Sequence, residues 1–305
     1  MMSSCSSVGT LSGPQRPDSS VVCVDTAIEQ LRQLATNTYC VRVAAPEIAR
    51  TVVPGQFVMI RLSGRETPLI GRALAVYDVI DDASGEPHWI DLAFIRKGAL
   101  TTPLSESPVG TRVSVWGPLG NGFSTTPCDL LVMAAGGVGQ TPMLMLAKEA
   151  TGARQYGSSA APRPTGWAKQ VRIVYGARTA GLLAGVDDFR ATGIDVQLCT
   201  DDGTAGVSAR VPQRLSDLLD QDLAAAPEQS IRVVSCGPEI MMQKVAEGCL
   251  ARSIPCEVSL ETPMACGIGI CFTCVAMVRP AEDQPWDYKR TCVEGPVFDA
   301  RQIVW

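Results

Sequence analysis

The sequence is nearly without histidine. His88 is the only one in 305 residues, which excludes a multi-histidine metal centre and makes histidine-based general-base chemistry improbable. Aromatic residues are only 5% of the chain and charged residues 19%. There is no excess of positive charge: the formal net charge is −5, so a nucleic-acid partner is not expected. Nothing approaches the unbroken apolar run that a membrane span needs. Residues 1–20 lack the apolar stretch of a signal peptide, and their Ser/Gly/Pro-rich composition reads as a disordered leader. With hydrophobic residues at 46%, the composition is that of a globular protein long enough for two domains and a small third. Such a chain must draw its chemistry from bound cofactors rather than from titrating side chains.

What the chain does have is cysteine, twelve in all. Without a secretory signal they point to a reducing compartment, which places the protein in the cytoplasm. Four of them stand out near the C-terminus. Cys266, Cys271 and Cys274 follow the spacing C-x4-C-x2-C, and Cys292 returns seventeen residues later. That is the plant-type ligand run for a [2Fe–2S] cluster. Gly267 and Gly269 let the loop backbone approach closely, so that amide N–H groups can face sulfur. A structural zinc and unpaired core thiols are the alternatives, but zinc sites usually show paired C-x2-C knuckles, which are absent. The other eight cysteines (5, 23, 40, 128, 199, 236, 249 and 256) are dispersed and read as small core hydrophobes.

Read in order, the chain divides at 20, 125 and 253. Residues 21–125 carry short alternating runs at Tyr39–Val43, Gln56–Leu62, Arg72–Val79, Ile90–Ile95 and Arg112–Trp116, separated by turn residues, which predicts an antiparallel β-barrel. Arg72 opens an otherwise apolar strand. Its guanidinium suits a pyrophosphate, although an edge-strand surface arginine looks the same in sequence. Gly98 and Thr101 lie in a loop that has the composition of a phosphate cradle or of any capped helix. Residues 126–253 change texture. A buried strand at 129–135 runs into Gly136-Gly137-Val138-Gly139-Gln140-Thr141-Pro142 and then an apolar helix, the opening of a nucleotide-binding α/β unit. Strands at 171–177, 195–199 and 231–236, with helices at 184–191, 215–225 and 239–252, predict a Rossmann-like parallel sheet. Residues 153–170 read as a surface insertion. Residues 254–305 leave the sheet and form the cluster domain, with an apolar tail, Ile303-Val304-Trp305, expected to pack on this protein or a partner.

A nucleotide turn, a barrel and an iron–sulfur run form an electron path when placed in series. Nicotinamide gives two electrons together as hydride, a cluster takes them singly, and a flavin handles both, so the barrel should carry one. With those residues in hand, the chain resembles the electron-transfer subunit of class 1B dihydroorotate dehydrogenase, within the ferredoxin–NADP reductase superfamily. The resemblance runs from about Val21 to Trp305 and rests on GPLGNGF (117–123), AAGGVGQTP (134–142), VYGART (174–179), TDDGTAG (200–206), SCGPEIMM (235–242), MACGIGICFTC (264–274) and KRTCVEGPVFDA (289–300).

The resemblance implies FAD between barrel and sheet, held by Arg72, Ala73, Leu74 and Ala75 with Gly98 and Thr101 nearby. It implies NAD(H) at the turn of Gly136, Gly137 and Gly139, with Thr141 and Pro142 also among the cofactor-binding residues, the cluster on Cys266, Cys271, Cys274 and Cys292, and Cys236, Gly237 and Pro238 bordering nicotinamide and flavin. The implied partner is an FMN-containing catalytic subunit that oxidises dihydroorotate to orotate in pyrimidine biosynthesis. Where the family's flavin strand reads Arg-Pro-Leu-Ser, this chain has Arg72-Ala73-Leu74-Ala75, which removes a hydroxyl from beside the flavin and predicts a shifted flavin potential or slower hydride transfer. The Lys97–Thr102 loop also departs from the family pattern. Asp202, or Asp201 beside it, is the candidate for disfavouring a 2′-phosphate and so selecting NAD over NADP. Two other readings stand beside this one. One is the NAD(P)H-linked reductase subunit of another complex, of the ferredoxin–NADP oxidoreductase or sulfide dehydrogenase type. The other is a non-catalytic module that keeps its cluster for structure or redox sensing.

Overall fold

The computed structural model describes residues 21–65, 67–281 and 283–305; the proposed leader and Cys5 lie outside them. Six strands close a barrel: β1 (Val22–Ala35), β2 (Thr38–Ala44), β3 (Phe57–Leu62), β4 (Arg72–Asp81), β5 (Pro87–Ile95) and β6 (Arg112–Leu119), in the order β1-β2-β5-β4-β3-β6. Every pairing is antiparallel. Alternate residues point inward, so Val41, Val43, Val58, Ile60, Ile90, Leu92, Val113 and Val115 fill the interior. Two short helices, α1 (Pro46–Ala49) and α2 (Gly98–Leu104), bury Ile48, Leu100 and Leu104 against it.

The sequence runs did not mark β1, yet this strand closes the barrel. Its first half pairs with β6 from Val22 to Ala27, and its second half with β2 from Ile28 to Ala35, with a register shift after Ile28. The stretch Ile28-Glu29-Gln30-Leu31-Arg32-Gln33-Leu34-Ala35 is rich in helix formers. Pairing to β2 along its length overrides that local preference.

The second unit is a seven-stranded sheet, ordered β10-β9-β8-β7-β11-β12-β15. Its strands are β7 (Cys128–Gly136), β8 (Ala168–Ala177), β9 (Asp195–Thr200), β10 (Val207–Ser208), β11 (Ile231–Cys236), β12 (Cys256–Ser259) and β15 (Val297–Asp299), and all run parallel except β15. Helices α3 (Met143–Thr151) and α4 (Val186–Ala191) bury Leu144, Leu146 and Phe189 on one face. Helices α5 (Val211–Ala225) and α6 (Glu239–Leu250) bury Leu215, Leu219, Met242 and Val245 on the other. The chain builds outward from β7 through β8 and β9, then returns to add β11 on the opposite side. This reversal between β7 and β11 makes the crevice at their carboxyl ends the natural ligand position.

Two expectations need correcting. Residues 256–259 and 297–299 do not leave the sheet but extend it, so the cluster segment is inserted between two sheet strands instead of following the sheet as a separate tail. The strands are too short, at four and three residues, to carry a readable alternation. The segment 153–167 is also more than a surface insertion. Tyr156 and Trp167 are buried, and Arg163 donates to the fully buried Glu149 at 2.8 and 2.9 Å and to the Phe123 carbonyl at 2.8 Å. The apolar tail packs as expected. Ile303 bridges Val278 of β13 (Val275–Val278), which forms a hairpin with β14 (Asp287–Arg290), and Trp305 rests on the sheet's core. Among the described residues no helix is long and apolar enough to cross a membrane.

Candidate functional site

The four C-terminal cysteines come together, and they do so as two pairs. Cys271 interacts with Cys266, and Cys292 with Cys274, while Cys292 also senses Cys266. Among the described residues no three cysteine, histidine or carboxylate groups gather as a single ion would require. Two linked thiol pairs suit a pair of bridged irons better than one four-coordinate zinc. The loop is built to face sulfur with donors: the Ile268 N–H lies 3.4 Å from Cys266 Sγ, and the Thr273 hydroxyl 3.2 Å from Cys271 Sγ. The Thr273 hydroxyl, then nearby backbone N–H groups, lower the exposed Cys271 thiol to about 6. Burial, then Cys274, pushes Cys292 up to about 12. A metal would draw both into the thiolate form.

Three braces hold this loop. Trp116 of β6 donates its indole N–H to the Cys266 carbonyl at 3.0 Å. Thr291 donates both its N–H, at 2.7 Å, and its hydroxyl, at 3.0 Å, to the Cys274 carbonyl, which ties the fourth ligand to the third. Gly267 sits at φ +74°, and a Cβ there would stand 2.6 Å from Met59 Cγ, so the loop lies directly on the barrel. The sequence reading missed one organiser, Asn121. Its buried amide donates to the Val297 carbonyl at 2.8 Å and accepts from the Val297 N–H at 2.9 Å, which locks the GPLGNGF turn to the strand after Cys292.

Beside the cluster loop is a cavity of about 260 Å³ between barrel, sheet and cluster segment. Ala73, Leu74, Ala75 and Thr101 line it from the barrel, Thr141, Pro142 and Cys236 from the sheet, and Glu261 and Met264 from the cluster segment. Phe57 lines it too and packs in one apolar cluster with Met264, Cys274 and Cys292, so the cavity wall is continuous with the sulfur site. Arg72 is exposed at the head of β4, outside the lining, with no hydrogen bond or ion pair among the described residues. Gly98 begins α2 at φ +84°. The Thr101 hydroxyl is engaged locally, accepting from Lys97 N at 2.8 Å and donating to Lys97 O at 2.6 Å. A flat, largely apolar slot with an unpaired guanidinium at its edge fits a flavin and its pyrophosphate.

A second cavity, of about 570 Å³, opens at the switch point. Gly136, Gly137, Pro238 and Met241 line it, and it shares Val138 and Ile95 with the first. The two loops touch so closely that a Cβ on Gly139 would lie 2.2 Å from the Cys236 carbonyl oxygen. Gly237, at φ +152°, completes the second loop. Among the described residues the buried Gln140 amide and Ser235 hydroxyl have no hydrogen-bond partner. Asp202 is not part of this cavity. Its carboxylate accepts from Thr204 N at 3.0 Å and from the Thr204 hydroxyl at 2.6 Å, which lowers its pKa, and Asp201 lines the cavity instead. Arg178, Arg210 and Lys244 line it as well. Sequence reasoning quoted VYGART without giving Arg178 a role, and nothing local distinguishes Arg210 from a surface arginine.

Comparison with known proteins agrees with this geometry. The family model for the iron-sulfur cluster binding domain of dihydroorotate dehydrogenase B matches residues 261–304. The dihydroorotate dehydrogenase B (NAD(+)) electron transfer subunit of Desulforamulus reducens is 32% identical over 92% of this chain and 98% of its own. A probable electron transfer subunit from Methanothermobacter thermautotrophicus is 32% identical over 84% of this chain and 82% of its own. Among solved structures, the NADH-dependent reduced ferredoxin-NADP oxidoreductase aligns with a TM-score of 0.73 at 25% identity, covering 92% of this chain and 90% of that one. A Neisseria gonorrhoeae ferredoxin NADP+ reductase with bound FAD and NADP shares the fold, with a TM-score of 0.56 at 16% identity over 75% of this chain and 91% of its own. The family match supports an iron–sulfur cluster, and the fold is one that in these reductase neighbours carries a flavin and a nicotinamide dinucleotide. Sequence, site geometry and relatives converge: this chain belongs to the family of dihydroorotate dehydrogenase B (NAD(+)) electron transfer subunits.

Proposed function

We propose that the chain is the electron-transfer subunit of a cytoplasmic dihydroorotate-oxidising complex, joined to an FMN-containing catalytic subunit and delivering electrons from it to NAD⁺ in pyrimidine biosynthesis. When bound, the flavin exchanges hydride with nicotinamide and single electrons with the cluster. The chain's own residues hold these reactions in line. Cys266, Cys271, Cys274 and Cys292 grip the irons. Ala73, Leu74 and Ala75 line the flavin slot, and Arg72 holds the pyrophosphate from its edge. Gly98 and Thr101 shape the neighbouring turn. Gly136, Gly137 and Gly139 let the nicotinamide dinucleotide approach, Arg178 and Arg210 offset its charge, and Thr141 and Pro142 face the flavin slot. Cys236, Gly237 and Pro238 border both cavities where hydride would cross. Asp201 faces the dinucleotide where Asp202 does not.

The observation that carries this reading is the continuous wall from paired thiols through Phe57 and Met264 to the flavin slot. Exposed Ile268, Ile270 and Phe272 surround the sulfur site and give the catalytic subunit an apolar face to cover. The test is an anaerobic preparation analysed for iron, sulfide and flavin, followed by Cys271→Ser. The variant should lose the cluster and electron delivery to one-electron acceptors, while NADH still bleaches the flavin. Loss of NADH bleaching in a folded, flavin-loaded variant would refute the serial order. NADH-driven reduction of ferredoxin, with no orotate-linked partner retained, would assign the chain to a different reductase complex.

A further inference from the structure

The electron path has a proton imbalance that the residues assigned above do not resolve. A hydride crossing between nicotinamide and flavin is two electrons and one proton. A cluster passes electrons singly and carries no proton. For each electron pair crossing between flavin and cluster, one proton must be taken up or shed inside the flavin cavity.

Only two side chains lining that cavity titrate, Cys236 and Glu261. The Cys236 thiol is wholly buried and pushed far up, first by burial and then by the negative charge of Glu261, so it stays protonated and exchanges poorly. The hydroxyls of Thr101 and Thr262 are engaged, with Lys97 and Thr291 respectively. Glu261 differs from all of these. It stands just past the end of β12, its carboxyl open to the cavity, with no hydrogen bond or ion pair among the described residues. The side chain is exposed at the cavity mouth, and the protein packed beside it raises its pKa above the ordinary glutamate value. A carboxyl moved toward neutrality can both give and take a proton at working pH.

We propose that Glu261 is the proton donor and acceptor of the flavin cavity, an assignment that rests on the function proposed above. Toward NAD⁺, two electrons arrive from the cluster, the Glu261 O–H bond breaks, and its proton joins them at the flavin. They leave together as one hydride to the nicotinamide, and solvent reprotonates the carboxylate. In reverse, one hydride enters, two electrons leave singly for the cluster, and the Glu261 carboxylate accepts the remaining proton.

Glu261→Gln keeps the shape and removes the titration. In the wild-type protein the visible spectrum of the bound oxidised flavin should report one ionisation above the ordinary glutamate range, absent from Glu261→Gln. Stopped-flow oxidation of NADH-reduced protein by a one-electron acceptor should slow about 100-fold or more in Glu261→Gln and lose its pH dependence. Glu261→Asp should recover much of the rate, and Glu261→Ala should be rescued by added formate. A Glu261→Gln protein with full FAD and cluster, an unchanged spectral titration and an unchanged rate overturns the proposal. Should Glu261→Gln not retain flavin, Glu261→Ala decides, since a flavin-loaded Glu261→Ala protein with the wild-type spectral titration and rate, and no response to formate, also overturns it. Wild-type protein lacking FAD or cluster would instead refute the underlying function.

Discussion

Arg232 and Glu257 form an ion pair at 3.0 Å with side chains only 5% and 2% exposed. Ser124 donates its N–H and hydroxyl to the same carboxylate, Arg232 donates to the Thr126 carbonyl at 2.5 Å, and the guanidinium lies 5.2 Å from the Trp167 ring centroid. The network fastens the barrel's exit to β11 and β12. Breaking one member strands a buried charge, so Arg232→Met should cost roughly 3–5 kcal/mol in urea unfolding, and adding Glu257→Leu should return most of it. A double variant weaker than the single one would show that the pair itself stabilises the fold. Burial holds the Glu257 pKa above its ordinary value despite Arg232. The folded chain therefore keeps a proton that the unfolded chain has already released. This contribution to stability falls as pH rises from the unfolded glutamate value through the raised folded one. Arg232→Met should steepen that fall, as read from unfolding free energy against pH. Arg72→Ala should weaken FAD binding about tenfold or more through loss of a charge-assisted contact, measured by flavin retained after gel filtration. At this scale legibility was uneven. The cluster cysteines were readable because thiolate spacing is fixed by the metal core. The choice between Asp201 and Asp202 was not, because it depends on which carboxylate turns back to cap Thr204.

The elements show where local signals end. Strands β2 to β9 and β11 were legible in outline because alternation and buried runs follow directly from which face is covered, whereas β10, two exposed residues, carries no pattern. Strand β1 was not, since its second half favours helix and only pairing with β2 makes it extended. Strands β12 and β15 were equally silent. The C-terminal residues belong to this scale too. Ile303 bridges β13 and Trp305 packs on the sheet core. Deleting residues 303–305 should lower stability by about 2 kcal/mol, from the apolar surface returned to water. Thermal unfolding checks this, and an unchanged midpoint would mean that the tail contributes only cover.

In the whole molecule, three sites meet at one junction. The two cavities share Ile95 and Val138, and the sulfur site shares Phe57 and Met264 with the flavin slot. Neither the barrel nor the sheet contains a complete site alone, so the domain order followed from local patterns while the junction came only through the family resemblance. The exposed apolar rim at Ile268, Ile270 and Phe272 lies beyond it. Ile270→Asp should abolish co-purification with the catalytic subunit and leave NADH bleaching of the flavin intact, because that residue faces away from both cavities. Retained co-purification would move the docking face elsewhere.

Both feet of the cluster segment are neighbouring strands of one sheet, β12 and β15, paired from Glu257–Asp299 to Ser259–Val297. A protease cut between them would leave each stub still hydrogen-bonded in place, so the nicked molecule would not shed its C-terminal piece. The same arrangement makes the segment a cassette: a foreign iron-binding loop whose ends match that spacing could be transplanted without redrawing the sheet that carries it.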